Sequence, residues 1–321
     1  MTLGAQDVDE SRAPEPRFVP DSPARKSYVF YCLAIAMVPF FAVIGSFFIA
    51  RSSWYLRHQR NSYLAISDYP FTLENVNCEV VIYGDSSALT GISPLVIEAD
   101  TSLRTCNIAQ PNTTLAIAGT LALDSYLKSN ARPKFLAFQF TAPDFSPIDS
   151  KGRLYEEGAL QLVRHRPDLQ TFLLFARHPM EAFEFSEFIL RTALLERDWA
   201  AGTYDRAWAE TRTTHGLLTV PGSPLVKCVE DLEIRAPDAE WIRQLRVKYS
   251  QEGTRVLVYA APYPECDGSY DYYSEALSQI ADNQLQRFNI GLFNEKNHFT
   301  REGADRNSKR IAEDIARMMR Q

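Results

Sequence analysis

The sequence predicts an α/β domain built on a parallel sheet, with a helical insertion, preceded by one membrane-spanning helix. Three observations carry this. The run Ser27 to Ala50, SYVFYCLAIAMVPFFAVIGSFFIA, holds no charged residue and is long enough to cross the hydrocarbon core as a helix. From Cys78 onward, short β-branched or aromatic runs alternate with helix-like segments, the pattern of parallel strands joined by crossover helices. Those runs are almost continuously apolar, as strands buried on both faces must be.

Residues 1–26, rich in Asp, Glu, Pro and Arg, are expected as a disordered tail. The span at 27–50 is flanked by Arg25, Lys26 and Arg51, and its Pro39 and Gly45 are tolerable in a transmembrane helix. Tyr28 and Tyr31 at one end, and Trp54 and Tyr55 past the other, suit interfacial belts. A buried core helix would not run this long without a charge. A cleaved signal would be shorter and followed by a small-x-small site, which is not seen. A retained signal anchor is therefore expected. Arg12, Arg17, Arg25 and Lys26 face Arg51, Arg57 and Arg60 across the span, a near tie that leaves orientation open. Residues 51–76, with their charges and Pro70, read as a stalk or entry helix, ahead of a large domain at 77–321.

Within that domain Glu79–Tyr83 is the first strand, and Gly84–Thr90 a turn. Ser93-Pro94 opens a short helix, with Pro at its favoured first position. Leu103–Ile108 is the second strand, and Asn112–Lys128 a helix capped by Asn112 or Thr113. Lys134–Phe140 is the third strand, followed by the turn TAPDF. Residues about 150–250 read as a helical insertion containing a polar connector, Thr211–Pro224. Arg255–Ala260 is the fourth strand, and Ala304–Met319 a closing helix with Ile311, Ile315 and Met318 at helical spacing.

The 321 residues carry a net charge of -6 and no Lys/Arg-dense stripe, which excludes a nucleic-acid partner. Cys32 lies in the anchor. The other four cysteines form an even set, as an oxidising compartment favours. Cys78 with Cys106, on neighbouring strands, and Cys228 with Cys266, tying the insertion to the loop after the fourth strand, are the candidate disulfides. Unpaired thiols are the alternative. No CxxC pair exists, so a structural zinc site is not expected, and no metal or cofactor is assigned.

In open α/β sheets ligands bind beyond the carboxyl ends of the strands. Gly84-Asp85-Ser86, Thr141–Phe145 and Pro262–Asp267 fall there. A serine hydroxyl becomes a nucleophile only when a base takes its proton and an acid orients the base. Of His58, His165, His178, His215 and His298, the last stands apart, just before the closing helix with Glu295 three residues earlier. That spacing lets one short turn hold a carboxylate against Nδ1–H while Nε2 faces another element. The bland alternatives are a capping serine, a solvated histidine and a loop carboxylate. Asp85 reads as a turn residue bonding to backbone, and Asp144 as a structural turn residue or a substrate contact.

Gly84-Asp85-Ser86 after the first strand, with Glu295-x-x-His298 before the last helix, resembles the GDSL/SGNH hydrolase superfamily over roughly 76–140 and 254–321. The resemblance implies a three-layer flavodoxin-like fold with Ser86 as nucleophile, His298 as base and Glu295, in place of the usual Asp, as acid. It implies two oxyanion donors. Asn112 stands where the family has Gly after the second strand, and TAPDF lacks the family's Asn after the third. The Ser86 N–H, with Asn112 or Thr141, is left to serve. The anchor, YGDSSALTGISP and HFTREGA are similar to membrane-anchored members that act in polysaccharide O-acetylation and teichoic acid D-alanylation at the cell envelope. That similarity implies an inner (plasma) membrane protein with its large domain extracytoplasmic, a surface polysaccharide as substrate, and a multi-spanning membrane O-acyltransferase as partner. The expected activity is a serine esterase or O-acyltransferase working through an acyl-enzyme. Two other readings stand beside it: a lipid esterase, using Phe172, Phe175, Phe183, Phe185 and Phe188 as an apolar slot, and a non-catalytic partner of the acyltransferase.

Overall fold

Four runs pair in parallel: β1 (Val80–Gly84), β2 (Thr105–Asn107), β3 (Phe135–Phe140) and β4 (Arg255–Ala260), in the order β2-β1-β3-β4. The computed structural model describes residues 23–60, 62–147, 154–199, 202–220, 222–228, 234–251, 253–295 and 298–321. Most of the tail expected at 1–26 lies outside them. The chain divides into two units, Met1–Ile44 and Gly45–Gln321.

The first helix, α1 (Pro23–Arg51), contains a stretch of 22 residues, Phe30–Arg51, long and apolar enough to cross a membrane. It is followed by α2 (Ser53–Arg57), α3 (Ser62–Ser67) and a 3-10 turn at Tyr69–Thr72. Between β1 and β2 come α4 (Ser86–Gly91) and α5 (Pro94–Thr101). Between β2 and β3 come α6 (Asn112–Ala118) and α7 (Leu121–Ser129). The insertion supplies α8 (Glu156–His165), α9 (Leu169–Arg177), α10 (Pro179–Leu194), α11 (Gly202–Thr213) and α12 (Ala239–Tyr249). After β4 come β5 (Tyr263–Pro264), α13 (Tyr270–Leu277), β6 (Arg287–Phe288), β7 (Phe293–Glu295), β8 (His298–Phe299) and α14 (Arg301–Met319).

Alternation along the strands sorts side chains to two faces, and each face has its own core. Val81, Tyr83, Leu136, Phe138 and Val258 pack with Leu123 and Tyr126 of α7 and Ile242 and Leu245 of α12. Val80, Ile82, Ala137 and Leu257 pack with Ala88 and Leu89 of α4 and Ile311 and Ile315 of α14. A third core joins Ala50 and Tyr55 to the insertion, with Phe47 edge-on to Phe175 and Phe185.

The structure differs from the sequence reading in five places. The turn expected at Gly84–Thr90 is a strand end followed by a helix, because Asp85 caps α4 by accepting the Ser87 N–H at 2.8 Å. The helix expected at Asn112–Lys128 breaks at Gly119, whose φ of 54° ends α6, and Asn112 lies inside α6 rather than capping it. The closing helix starts at Arg301, capped by Thr300 through the Gly303 N–H. Residues 51–76, expected as a stalk, fold into the large unit: Tyr55, Ile66 and Tyr69 are buried, and the Tyr55 hydroxyl lies 2.7 Å from Thr192 Oγ1. The polar connector is a strap along the β2 edge. His215 O accepts the Asn107 N–H, and the Leu218 N–H bonds Leu89 O. At the opposite edge Asp282 and Asn283 side chains accept the N–H groups of Val258 and Ala260, so neither outer strand offers a bare ladder.

Candidate active site

The chain runs from β1 to β2 on one side and then to β3 on the other, so the carboxyl ends of β1 and β3 bound the crevice where such sheets take ligands. β1 ends at Gly84, where a Cβ would lie 1.8 Å from Gln139 O of β3, so only glycine lets the strands close here. The next residue, Asp85, is fully buried. Its carboxylate accepts from the Ser87 N–H and hydroxyl and, at 2.6 Å, from the Thr141 N–H. Burial, then the charge of Asp144, push the Asp85 carboxyl up to about 7.

Ser86 is the first residue of α4 and is half-buried. The helix beneath it is held tightly. Asn107 Nδ2 donates to Ala88 O and Ile92 O at 2.8 and 3.0 Å. Asn307 Nδ2 donates to Gly91 O and to Gln139 Oε1, both at 2.9 Å, and Gln139 Nε2 donates to Ser87 O at 3.0 Å. Carbonyls that a short helix leaves open at its end are thereby satisfied.

Facing α4 is β8, which pairs antiparallel with β7 so that Glu295 stands opposite His298. The buried Phe299 ring fills the space over Gly91, where a Cβ would come within 2.5 Å of it. Thus β8 is seated on the helix that carries Ser86. Glu295 Oε2 lies 2.8 Å from His298 Nδ1, with 62% of the Glu295 side chain exposed and 17% of His298. The link between them, 296–297, lies outside the described residues. Ser86 Oγ makes no hydrogen bond to His298 among the described residues.

The structure brings a further group here that sequence reasoning missed. Tyr63, from the segment expected as a stalk, has its ring 6.2 Å from the His298 ring. Burial, then the Glu295 charge, push its phenol up to about 12. No local pattern marks Tyr63, because only tertiary packing carries it to the hairpin.

The oxyanion candidates are engaged elsewhere. Thr141 gives its N–H to Asp85 and its hydroxyl to Asp144 Oδ2 at 2.6 Å, which leaves it no proton to donate. Asn112 gives one Nδ2 proton to Asp144 Oδ2 at 2.6 Å and keeps the other, while its Oδ1 is buried without a partner. Asp144 is itself buried, anchored by these two residues, and so reads as a brace of the edge rather than a substrate contact. The remaining histidines are held away from this edge. His58 Nδ1 contacts Trp54 O, His165 pairs with Asp68, His178 lies near Glu181 and His215 near Glu98. Both candidate cysteine pairs, Cys78 with Cys106 and Cys228 with Cys266, are joined as disulfides. No protein-family model, curated protein or solved structure matches the chain.

Proposed function

We propose that the chain is a membrane-anchored serine esterase or O-acyltransferase of the flavodoxin-like SGNH type, acting on ester-linked acyl groups of a cell-surface polysaccharide. The observation that carries this reading is the 2.8 Å Glu295–His298 contact on an element seated against the helix that Ser86 begins. The carboxylate fixes the Nδ1–H tautomer and leaves Nε2 as the base. Ser86 Oγ attacks the acyl carbonyl as Nε2 takes its proton. The tetrahedral intermediate collapses, the bond to the sugar oxygen breaks, and the imidazolium returns the proton to that oxygen. Water or a second sugar hydroxyl then attacks the acyl-enzyme and releases Ser86. The Ser86 N–H and the remaining Asn112 Nδ2 proton are the available oxyanion donors.

Two disulfides among residues 77–321 support an oxidising compartment for that domain, outside the cytoplasm, with α1 as a single-pass anchor in the inner membrane. A multi-spanning O-acyltransferase that places those acyl groups on the polymer is the partner this reading implies. The lipid-esterase reading is weaker, because Phe175 and Phe185 are consumed in packing around Phe47.

Two observations favour a second reading, a non-catalytic partner of that acyltransferase: Thr141 has no free proton, and Ser86 is not bonded to His298 among the described residues. Turnover of p-nitrophenyl acetate by the full chain in nonionic detergent separates the two. Activity lost in both Ser86→Ala and His298→Ala supports the esterase. Activity unchanged in Ser86→Ala, or absent throughout in folded protein, supports the partner.

A further inference from the structure

A cavity of about 420 Å³ opens on the outer side of β2, lined by Tyr69, Arg104, Trp208, Arg212 and His215 among others. Cys106, also in its wall, lies opposite Val81 in the sheet, so the cavity sits on the order of 10 Å of strand below the edge where Ser86 stands. The size is that of a small-ligand site.

Its walls are built from distant segments that converge. Trp208, Arg212 and His215 fall at helical spacing along α11 and the turn that ends it, and so share one face. Tyr69 comes from the 3-10 turn and meets Trp208 edge-on at 6.1 Å, while Tyr204 stacks on Trp208 from the same helix. Neither the Arg104 nor the Arg212 guanidinium pairs with a carboxylate among the described residues, yet both lie close enough to act on the Tyr69 phenol. Two carboxylates lie near and both are engaged: Glu98 by His215 Nδ1 at 3.2 Å and the Thr105 N–H at 2.8 Å, and Glu79 by the Arg104 N–H at 3.2 Å and Lys134 Nζ at 2.7 Å.

The backbone is constrained at this place. Four described non-glycine residues have positive φ: Asn75, Asn77, Ser102 and His215. Asn75 and Asn77 bracket Val76 of the wall, Ser102 precedes Arg104 by two residues, and His215 lines the cavity. Gly216 locks the same turn, since a Cβ there would lie 1.8 Å from Asn107 O. Sparsely populated backbone conformations persist where the surroundings over-determine them, and they cluster at ligand sites.

We infer that this cavity binds a carboxylate-bearing sugar residue, with Arg104 and Arg212 taking the carboxylate and Trp208 lying against the ring. Two guanidinium forks match a planar carboxylate. The aromatic wall would be idle against a bare inorganic anion. The choice of a sugar over other ring-bearing anions rests on the polysaccharide reading of the Ser86 site. The cavity would then hold an acidic unit of the polymer apart from the unit being acylated.

The test is isothermal titration calorimetry on the full chain in nonionic detergent, in the Ser86→Ala background so that no ester is consumed. Trigalacturonate is the probe, against its fully methyl-esterified form and inorganic phosphate. Trigalacturonate is expected to bind. Affinity should fall about tenfold or more for the methyl ester and in Arg104→Gln or Arg212→Gln, and severalfold in Trp208→Leu. Both arginines are exposed, so these variants should fold, and matched unfolding midpoints verify it. No binding at millimolar trigalacturonate, equal binding of the methyl ester, unchanged affinity in both arginine variants, or equal competition by phosphate each overturns the inference. Turnover of p-nitrophenyl acetate by the wild-type chain reads the Ser86 proposal independently. Turnover without trigalacturonate binding sinks the cavity alone, and binding without turnover sinks the catalytic reading alone.

Discussion

Replacing Cys78 and Cys106 together by alanine should lower the stability of the large unit by a predictable amount. The bridge closes a loop with a sequence separation of 28. In the chain-entropy account, releasing such a loop in the unfolded state costs about 3.5 kcal/mol. Both cysteines are buried, at 1% and 3% exposure, between β1, β2 and α7, so the missing sulfurs add on the order of 1 kcal/mol of lost packing. At roughly 2–4 °C per kcal/mol for a unit of this size, the unfolding midpoint should drop by about 9–18 °C. The assay is thermal unfolding of the full chain in detergent, followed by far-UV circular dichroism. Cys228→Ala/Cys266→Ala is the control. Its sequence separation of 38 gives nearly the same entropy, but Cys266 is exposed and no packing term is added. A midpoint within about 2 °C of wild type for the Cys78/Cys106 variant would refute the argument.

Asp85 makes stability depend on pH. Burial and Asp144 raise its folded-state pKa to about 7, so the folded chain holds that proton more tightly than the unfolded chain does. Its contribution is therefore present at low pH and is lost as pH climbs from the ordinary carboxylate range to neutrality. Asp85→Asn should flatten that slope, and equal slopes in both proteins between pH 4.5 and 7 would show that Asp85 does not titrate there. Asn307→Ala orphans the buried Gly91 O and Gln139 Oε1. It should cost roughly 2–5 kcal/mol in urea unfolding and reduce any Ser86-dependent turnover, and a loss under about 1 kcal/mol would mean α4 is held by other means. In the proposed esterase, Glu295→Gln should lower kcat by roughly ten- to a hundredfold, less than a buried triad acid would, because the Glu295 side chain is mostly exposed and water screens its charge. A loss as large as that of Ser86→Ala would contradict this reasoning.

Three of the four central strands were legible because VVIYG, FLAFQF and RVLVYA are apolar but for Gln139 and the leading Arg255, a composition that follows directly from burial on both faces. The contact of Glu295 with His298 was legible because it is local. What could not be read was set by tertiary partners or by backbone angle. Gly119 breaks a sequence whose periodicity continues across it. Tyr55, Ile66 and Tyr69 look like stalk residues until the insertion covers them. Thr141 looks free until Asp85 and Asp144 take both its protons. The cavity beside β2 draws on residues scattered from Tyr69 to His215, and no window of sequence holds its pattern. Leu217 and Leu218 sit in a stretch dominated by polar residues, which hid the strap along the sheet edge.

The strand order also bears on how the chain reaches this state. β3 is completed against β4, whose Arg255 pairs with Phe135 only after the whole insertion has intervened. Until then FLAFQF has β1 on one side and an open ladder on the other, with no charge of its own. Pairings this distant in sequence close slowly, since loop entropy must be overcome before contact is gained. A segment that is apolar, uncharged and rich in aromatics is the kind that captures a neighbouring chain instead. Expression of this protein should accordingly be limited by its residence time with β3 uncovered. A lysine at Gln139 would bury a charge and break the hydrogen bonds to Ser87 O and Asn307 Nδ2, so protection during that interval falls to early docking of the insertion helices or to something outside the chain.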